Sequence, residues 1–405
     1  MKNVVFITRE KIIKGSGAPS SRNFLLAKMF SEEGIFVHLF SFDMRCKLKE
    51  KTTNEDIYIS IYGVEPKNER LLIRRIARKF FMLLPTLLFL FRVVNIVKVL
   101  KGKTVIYQDW TTTKSMDLGV LLIFRFIYGY KVYTDPNEVF AYLVEYQYEN
   151  SCFFLRYFNM LKQFLGDLLL RYYTGLIIIS SQLEAKYSKI NKNYLRIPII
   201  SKLYSRNNKE LLSYEKYEVF KIGYFGTLQI YKEGLDLLLS ALEALKKKGY
   251  KLEIHFYGKI NKYETKEIYA MIDRSNGSAI YHGLLSNEEV LKIMGKYHLL
   301  ISTRRLNKQT QYGFSTKLAE YMATGVPFLV TNIGDNSKYI KDGINGYIIE
   351  PDSLQQLIDK LEHIIINYNK ESIIISKNSI ETANKYFNYQ NYKNRIIEFF
   401  FSDKT

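Results

Sequence analysis

The sequence predicts an α/β protein with two Rossmann-like domains, each containing a doubly wound parallel sheet. Two observations support this prediction. The chain has 405 residues, which is long for one ordinary core, and strand-like and helix-like segments alternate with short links in both halves. Two such domains facing each other bring the carboxyl ends of both sheets to one cleft, where open α/β sheets bind ligands.

The first half begins with the apolar strand VVFIT, followed by a loop, KGSGAPS, and a helix that ends at Gly34. The first strand lacks the long apolar stretch of a secretion signal, so we interpret it as a buried strand. A second strand, IFVHLFSFD, follows, and further strands are predicted at residues 104–108, 131–135 and 175–180. These strands place one parallel sheet in the first half.

The second half opens near residue 219 with the strand VFKIGYFGT and continues the same alternation. The polar stretch before it has the composition of a linker. We therefore predict two domains, one at residues 1–205 and one at residues 206–375. A C-terminal helix within residues 376–405 is expected to pack back on the first domain.

Composition limits the classes of partner. The chain is 47% hydrophobic and 24% charged, which is typical of a globular protein. Its two cysteines, Cys46 and Cys152, fit neither a disulfide framework nor a metal site, and this favours a reducing cytoplasm. The net charge of +19 is either a by-product of a chain rich in Lys, Asn, Ile and Tyr or an attraction to an anionic surface. No nucleic-acid-binding motif is present.

The strongest local pattern is GFSTKLAEYMATG. Gly313 allows backbone amides to approach a ligand, and Ser315 and Thr316 suit the N-cap of a helix whose free N–H groups can hold a diphosphate. Lys317 lies in the first turn, where a positive charge does not stabilise the helix itself, so a ligand is favoured. Glu320, about one turn further, is within reach of ribose hydroxyls. The alternative is an ordinary capped helix with a surface Lys and Glu.

A second pattern is FKIGYFGTLQIYKEGLDLLLSAL. A strand leads to Gly226, and Lys232 precedes Gly234 and an amphipathic helix. A cation at this place can neutralise phosphate groups of a ligand or of a leaving group, so Lys232 is a candidate catalytic residue. A solvated lysine before a helix is the alternative.

These segments resemble the carboxyl-terminal domain of the retaining GT-B glycosyltransferases of family 4, the bacterial polysaccharide-type glycosyl transferases group 1. The resemblance covers most of residues 219–353. It implies a GT-B fold, a nucleotide-diphosphate sugar as donor substrate and no cofactor, with Glu320 holding the ribose. It also implies that the domain at residues 206–375 is the nucleotide-sugar-binding domain and that the domain at residues 1–205 is the acceptor-side domain. The donor-site residues that it implies are Gly226, Thr227, Lys232, Tyr312, Gly313, Phe314, Ser315, Thr316, Lys317 and Glu320.

The sequence departs from the family pattern at two places. Tyr312 occupies the position of the family's first glutamate, which usually contacts sugar hydroxyls. Thr227 replaces the usual arginine, and Glu233 intrudes before the glycine. One of the two customary cations is therefore missing, and Arg304 or Arg305 are open substitutes.

The first half supplies weaker candidates. The loop with Gly15 and Gly17 has Ser20 where a dinucleotide fingerprint needs a third glycine, so nicotinamide binding is rejected. The resemblance implies that Gly15 and Gly17 face the donor phosphates, and a plain helix-entry loop is the alternative. Asp135 and Glu138 follow a predicted strand and are candidates to orient an acceptor hydroxyl or accept its proton. Turn residues that cap a helix are the alternative for these two.

The chain has no Asp-x-Asp pair and no histidines at ligand spacing, so we predict a metal-independent enzyme. Residues 70–101 and 153–173 mix Arg and Lys with apolar side chains. They suit helices lying on an anionic membrane, and buried helices of the first domain are the alternative. The longest apolar run, Phe80 to Phe91, is shorter than the roughly 20 residues of a spanning helix.

The leading hypothesis is a hexosyltransferase that acts on a lipid-linked glycan at the cytoplasmic face of a bacterial plasma membrane, in cell-surface polysaccharide biosynthesis. Two alternatives stay open. One is a GT-B nucleotide-sugar epimerase, and the other is a degenerate subunit that binds a partner without catalysis.

Overall fold

The computed structural model describes residues 1–8, 18–43, 50–54, 57–63, 83–109, 114–139, 153–201 and 218–402. The loop with Gly15 and Gly17, and the predicted domain boundary at residue 205, lie outside these ranges. The chain forms two compact units: unit 1 is Met1–Ile197 with Tyr389–Thr405, and unit 2 is Pro198–Asn388. Each unit contains one largely parallel sheet with helices, so the predicted α/β class with two Rossmann-like domains is confirmed.

Unit 1 holds an eight-stranded sheet in the order β3-β4-β2-β1-β5-β6-β7-β8, in which only β3 and β4 pair antiparallel. The strands are β1 (Lys2–Thr8), β2 (Phe36–Asp43), β3 (Glu50–Asn54), β4 (Ile57–Gly63), β5 (Lys103–Asp109), β6 (Lys131–Asp135), β7 (Gly175–Ile178) and β8 (Tyr194–Arg196). The helices are α1 (Ala18–Ser31), α2 (Leu83–Val99), α3 (Lys114–Val120) with its π-helical continuation Leu121–Ile127, α4 (Phe153–Leu169) and α5 (Ser181–Tyr187).

Unit 2 holds a six-stranded parallel sheet in the order β11-β10-β9-β12-β13-β14. The strands are β9 (Phe220–Phe225), β10 (Leu252–Tyr257), β11 (Ala279–Tyr281), β12 (Leu299–Ser302), β13 (Phe328–Thr331) and β14 (Tyr347–Ile349). The helices are α6 (Ile230–Glu233), α7 (Leu235–Lys247), α8 (Thr265–Arg274), α9 (Asn287–Met294), α10 (Lys308–Tyr312), α11 (Thr316–Thr324), α12 (Asn336–Tyr339) and α13 (Leu354–Tyr386).

The strand order of each unit fixes where ligands can bind. The chain starts at a central strand, runs to one edge and then crosses back beyond its starting point, so a topological switch point lies between β1 and β5 in unit 1 and between β9 and β12 in unit 2. Open α/β sheets bind ligands outside the carboxyl ends of the strands at this point. Both central strands are apolar and buried, as expected for parallel strands covered on both faces.

The last helix, α14 (Lys393–Phe401), belongs to unit 1. Phe400 stacks on Tyr133 of β6 with ring centroids 4.2 Å apart. Lys103 and Lys131 donate to the carbonyls of Phe401 and Ser402 at 3.0 and 2.9 Å, which satisfies acceptors left open at the helix end. These contacts hold the C-terminus on the first sheet.

Two features differ from the sequence-based expectation in detail. The predicted boundary at residue 375 falls inside α13, a helix of 33 residues that carries buried side chains along its length. The hairpin of β3 and β4 at the edge of unit 1 was not anticipated, because its first strand, EKTTN, has no apolar pattern. Within the described residues, no helix has both the length and the apolar character needed to cross a bilayer.

Candidate functional site

Four separate stretches of unit 2 meet at the carboxyl ends of β9 and β12. Gly226 follows β9, Glu233 ends α6, Arg304 follows β12, and Lys317 lies in the first turn of α11. Contacts among these residues join them into one cluster. The two predicted binding patterns, around Gly226 and around Lys317, therefore meet at the switch point of the sheet.

Lys317 is held over Gly226. Its Nζ lies 2.6 Å from Glu233 Oε2, donates to the Tyr224 hydroxyl at 3.0 Å, and sits 4.4 Å from the centroid of the Tyr224 ring. Gly226 has φ of +150°, and a Cβ at this position would overlap Cε of Lys317. The backbone conformation therefore favours glycine here, and a larger residue would displace the end of the lysine side chain that passes over it.

Glu233 is the centre of the cluster. It is only 6% exposed, and its two carboxylate oxygens face Lys317 at 2.6 Å and Arg304 Nε at 3.4 Å. Burial raises the pKa of Glu233, but Lys317, Arg304 and the neighbouring Lys232 outweigh burial and lower this pKa to about 2. The carboxylate is therefore ionised throughout the neutral range, and it is surrounded by cations.

The two arginines after β12 differ in their partners. Arg305 forms ion pairs with both Asp236 and Asp352, and its amide donates to the Lys232 carbonyl at 3.0 Å. Arg304 faces Glu233 instead, and its side chain is 11% exposed. Arg305 therefore holds the loop together, whereas Arg304 lies in the cluster.

The start of α11 is only partly as predicted from the sequence. Ser315 takes the N-cap position, but its side chain makes no capping hydrogen bond. The Gly313 amide donates to the Gln309 carbonyl at 3.1 Å, so it closes α10. Phe314 is buried against Tyr339, with ring centroids 5.4 Å apart, and serves the core of unit 2. Binding roles for these residues stay predictions.

The other predicted donor-site residues lie at the same edge of the unit 2 sheet, and their geometry singles out none of them as a binding residue. Tyr312 ends α10 and Thr316 begins α11, and both are partly buried. Thr227 is exposed, and its carbonyl accepts the Tyr224 hydroxyl at 2.8 Å. Lys232 is partly buried beside Glu233. Their predicted contacts with a donor are untested by this geometry.

Glu320 lies on α11, three residues beyond Lys317. Its side chain is partly buried, and no described residue donates a hydrogen bond to its carboxylate. Burial raises the pKa of Glu320 to about 7, and Lys317 opposes part of that rise. A carboxyl group with a raised pKa and open acceptor positions is suited to receive hydrogen bonds from a ligand's hydroxyl groups.

The carboxyl end of β6 in unit 1 holds the other candidates. Asp135 is fully buried, with Oδ2 3.4 Å from Arg22 Nε and 2.8 Å from Asn137 Nδ2. Its Oδ1 has no hydrogen-bond partner among the described residues. Burial raises the pKa of Asp135, and Arg22 opposes this. Glu138 is partly buried. Their roles toward an acceptor remain predictions.

A buried network continues from Asp135 to the neighbouring strand. Asp109 pairs with Asp135 in the register of β5 and β6. Thr8, at the end of β1, donates to Asp109 Oδ2, and Asn23 Nδ2 lies 3.4 Å from the same oxygen. The sequence-based reasoning missed this network because its members lie about a hundred residues apart.

Glu233 and Tyr224 were also missed as site residues. From the sequence, Glu233 is an intrusion into the family pattern, and Tyr224 is one aromatic residue in an apolar strand. Their roles depend on a lysine and an arginine that follow some 70 to 90 residues later. Within the described residues, no three His, Cys, Asp or Glu side chains gather as a metal site requires. Metal independence stays a prediction.

Comparison with solved structures gives the fold class. The chain is similar to sucrose-phosphate synthase from Thermosynechococcus elongatus (13% identity, 98% of each chain covered, TM-score 0.75). It is similar to HepE from Anabaena in complex with UDP and glucose (14% identity, 98% of this chain and 99% of that chain, TM-score 0.68). It is also similar to the apo lipopolysaccharide outer core galactosyltransferase WaaB (14% identity, 99% of each chain, TM-score 0.64). The chain therefore has the GT-B fold.

The sequence of unit 2 adds a family relationship. Residues 219–367 match the family model described as "Glycosyl transferases group 1". Unit 2 therefore carries a glycosyl transferases group 1 domain, and the resemblance predicted for this part of the chain is confirmed at that level. No curated protein sequence matches the chain.

Proposed function

We propose that this protein is a retaining, metal-independent hexosyltransferase that moves a sugar from a nucleotide-diphosphate sugar to a lipid-linked glycan acceptor in bacterial cell-surface polysaccharide biosynthesis. The observation that supports this most is the cluster of Lys317, Arg304 and Lys232 around one carboxylate at the switch point of a glycosyl transferases group 1 domain. Fixed cations at this place stabilise the charge that develops on a departing diphosphate.

The proposed reaction breaks the bond between the sugar C1 and the diphosphate oxygen. A bond forms from C1 to the acceptor hydroxyl oxygen, and the hydroxyl proton passes to the departing diphosphate. Configuration is retained because acceptor and leaving group then share one face of the sugar. Lys317 and Lys232 neutralise the phosphates, and Glu320 accepts hydrogen bonds from the ribose hydroxyls. HepE was crystallised with UDP and glucose, which makes a uridine donor the first one to test.

Binding of UDP and GDP, measured by calorimetry, tests the donor site. We expect one of them to bind, and Glu320→Ala to weaken that binding about tenfold to hundredfold, because hydrogen bonds to a charged group are lost. Glu267→Ala, at an exposed position of the same unit, is the control and should bind like wild type. Absence of binding to both nucleotides at millimolar concentration would favour the non-catalytic alternative.

Turnover of a nucleotide sugar distinguishes a retaining transferase from an inverting one and from an epimerase. With a nucleotide sugar and a membrane extract as acceptor source, NMR of the product's anomeric signal should show the donor's configuration retained. Inversion would remove the retaining assignment while leaving a transferase. Conversion of the nucleotide sugar without any acceptor would favour the epimerase alternative.

An anionic membrane is the proposed partner of unit 1. Helix α2, the π-helix after α3, and α4 present apolar side chains to solvent, and Phe126, Met160 and Phe164 expose 57%, 61% and 59%. On α4 the exposed apolar residues Tyr157, Met160, Leu161, Phe164 and Leu165 recur at helical spacing. We call these outward surfaces the apolar face.

Neighbouring helices of the apolar face contact one another, and basic side chains are exposed on them. Leu90 of α2 packs against Gly119 of α3, and the rings of Phe126 and Tyr172 lie 5.8 Å apart. Helix α2, helix α3 with its π-helical continuation, and α4 contain two acidic residues: Asp117 is buried and Asp167 pairs with Lys186. The charged side chains exposed there are therefore basic, which suits anionic headgroups. A second copy on this face would place like charges opposite each other.

Flotation with vesicles tests this partner. We expect binding to phosphatidylglycerol–phosphatidylcholine vesicles to exceed binding to phosphatidylcholine alone, and to weaken with salt. Met160→Ser/Phe164→Ser should reduce binding at least about tenfold through lost apolar burial. Ile366→Ser, at a 66% exposed position of unit 2, is the matched control. Equal binding by the double variant and wild type would remove the membrane from the proposal and leave the donor site untouched.

A further inference from the structure

Arg304 is a nearly buried guanidinium without a hydrogen-bond acceptor. Its side chain is 11% exposed, and its Nε is enclosed with only the ion contact to Glu233 at 3.4 Å. No acceptor among the described residues takes a hydrogen bond from its other nitrogens either. A buried donor without an acceptor, such as this Nε, is destabilising. Such a group is therefore suited to a ligand that supplies the missing acceptors.

The position of Arg304 is fixed by the backbone. It follows β12, the strand next to β9 across the switch point. Its carbonyl accepts the Thr331 hydroxyl at 2.8 Å, and Thr303 before it donates to the Glu233 carbonyl at 3.0 Å. The end of β12 therefore places the guanidinium at the carboxyl edge of the sheet, where open α/β sheets bind ligands.

Glu233 connects this arginine to the lysine of α11. One carboxylate oxygen faces Arg304 and the other accepts from Lys317 and lies 3.1 Å from the Tyr224 hydroxyl. Arg304 and Lys317 both contact this one carboxylate, and the charge of Lys232 also lowers its pKa, so positive charge exceeds negative charge around Glu233. Glu233 therefore orients both contacting cations, and its single negative charge offsets only one of the two positive charges.

We propose that Arg304 binds the diphosphate of the donor through its guanidinium, in place of the cation that is absent at Thr227, and that Glu233 is a positioning residue that holds Arg304 and Lys317 toward that diphosphate. A planar guanidinium can donate two parallel hydrogen bonds to phosphate oxygens, which a lysine cannot. The inference rests on the proposed donor site and specifies which residues hold its phosphates.

Binding of inorganic pyrophosphate and of UDP to the full chain tests the role of Arg304. Arg304→Gln should weaken both about tenfold to hundredfold, because charge-assisted hydrogen bonds are lost. Arg304→Lys should recover only part of the affinity, because lysine keeps the charge but cannot donate two parallel hydrogen bonds. The control Arg274→Gln removes one exposed arginine of the same unit and should leave both affinities unchanged. Equal affinity of Arg304→Gln and wild type would overturn the assignment.

The pH dependence of pyrophosphate binding tests the role of Glu233. The charged and polar groups that face Lys317 are Glu233, Arg304, Glu320 and Tyr224. Burial and Arg304 both lower the pKa of Lys317, and Glu233 opposes them. In Glu233→Gln this opposition is gone, so the ratio of variant to wild-type dissociation constants should rise severalfold from pH 6.5 to 9. A Glu233 that merely supports the fold would give a ratio that does not change with pH.

The two ligands separate this inference from the proposed function. Arg304-dependent binding of pyrophosphate without any binding of UDP or GDP would support the inference and remove the donor assignment. Binding of UDP that does not depend on Arg304 would support the donor assignment and overturn the inference. A wild-type protein that binds neither ligand overturns both.

Discussion

The carboxyl edges of the two sheets carry the same kind of ion pair in different surroundings. In unit 1, Arg22 faces Asp135 at 3.4 Å, and in unit 2, Arg304 faces Glu233 at the same distance. Arg22 also donates to the Ile197 carbonyl at 3.2 Å, whereas the Arg304 guanidinium makes no hydrogen bond to a described residue. Among the described residues around these two pairs, several cations act on Glu233, whereas Arg22 is the cation that acts on Asp135.

We infer from this difference that the ion pair in unit 2 is the better candidate for binding a ligand and that the pair in unit 1 mainly stabilises the fold. A buried pair whose members are hydrogen-bonded locally is costly to break, because either partner alone leaves an uncompensated charge. A pair with spare donors and spare charge instead has something to offer a ligand. Ion-pair distance alone would have ranked the two edges equally, so the surrounding hydrogen bonds decide which one is a candidate site.

The largest expected effect is on Arg22. Arg22→Met should lower the free energy of unfolding of unit 1 by about 3–5 kcal/mol, because Asp135 stays buried without its cation. Hydrogen exchange in peptides of β5 and β6 measures this without assuming that both units unfold together. Arg304→Met should cost less than about 1 kcal/mol in unit 2, since Lys317 still neutralises Glu233 and few native contacts are lost.

The double variant Arg22→Met/Asp135→Asn is the control for that result, and it should recover much of the lost stability by removing the buried charge. Equal losses of stability in Arg22→Met and Arg304→Met would contradict the distinction between the two sheet edges. A fully active double variant would also remove Asp135 from the catalytic candidates.

A smaller effect, of opposite sign, is expected at Glu320. Its folded pKa of about 7 lies above its ordinary value of 4.5, so its contribution to stability is greatest below pH 4.5 and is lost as the pH rises to 7. Glu320→Gln should therefore stabilise unit 2 at pH 8 by about 1–3 kcal/mol while UDP binding weakens. Hydrogen exchange at pH 8 and thermal unfolding at pH 4.5 measure the two limits, and a stability gain of equal size at both would contradict the assignment.

The smallest effect is expected at Gly226. A methyl group there displaces the flexible end of Lys317, so Gly226→Ala should weaken pyrophosphate binding about threefold to tenfold and cost about 1 kcal/mol of stability. Gly249→Ala is the control, because Gly249 also has positive φ, at +92°, but no atom near its Cβ position. A binding loss that is equal in both variants would indicate backbone strain rather than displacement of Lys317.

Much of the fold could be predicted from the sequence. Buried parallel strands such as VVFIT are continuous apolar runs, and the helices between them begin and end with local signals, so the alternation is visible without tertiary information. The hairpin of β3 and β4 could not be predicted from the sequence, because the edge strand β3 (EKTTN) is polar and has no apolar run. The apolar residues of α4 recur at helical spacing in the sequence, but a helix buried in the domain has the same periodicity, so their exposure could not be predicted.

The sequence by itself determined the parallel α/β architecture, the glycosyl transferases group 1 character of the second half and the presence of Lys317 at a helix start, because each depends on residues close together in the chain. Only the tertiary structure decided that Glu233 joins Lys317 to Arg304, that Arg305 is bound elsewhere and that Asp135 is buried with Arg22. Charges separated by 71 to 113 residues interact only after the sheets have formed, and the strength of each interaction depends on the burial that the sheets create.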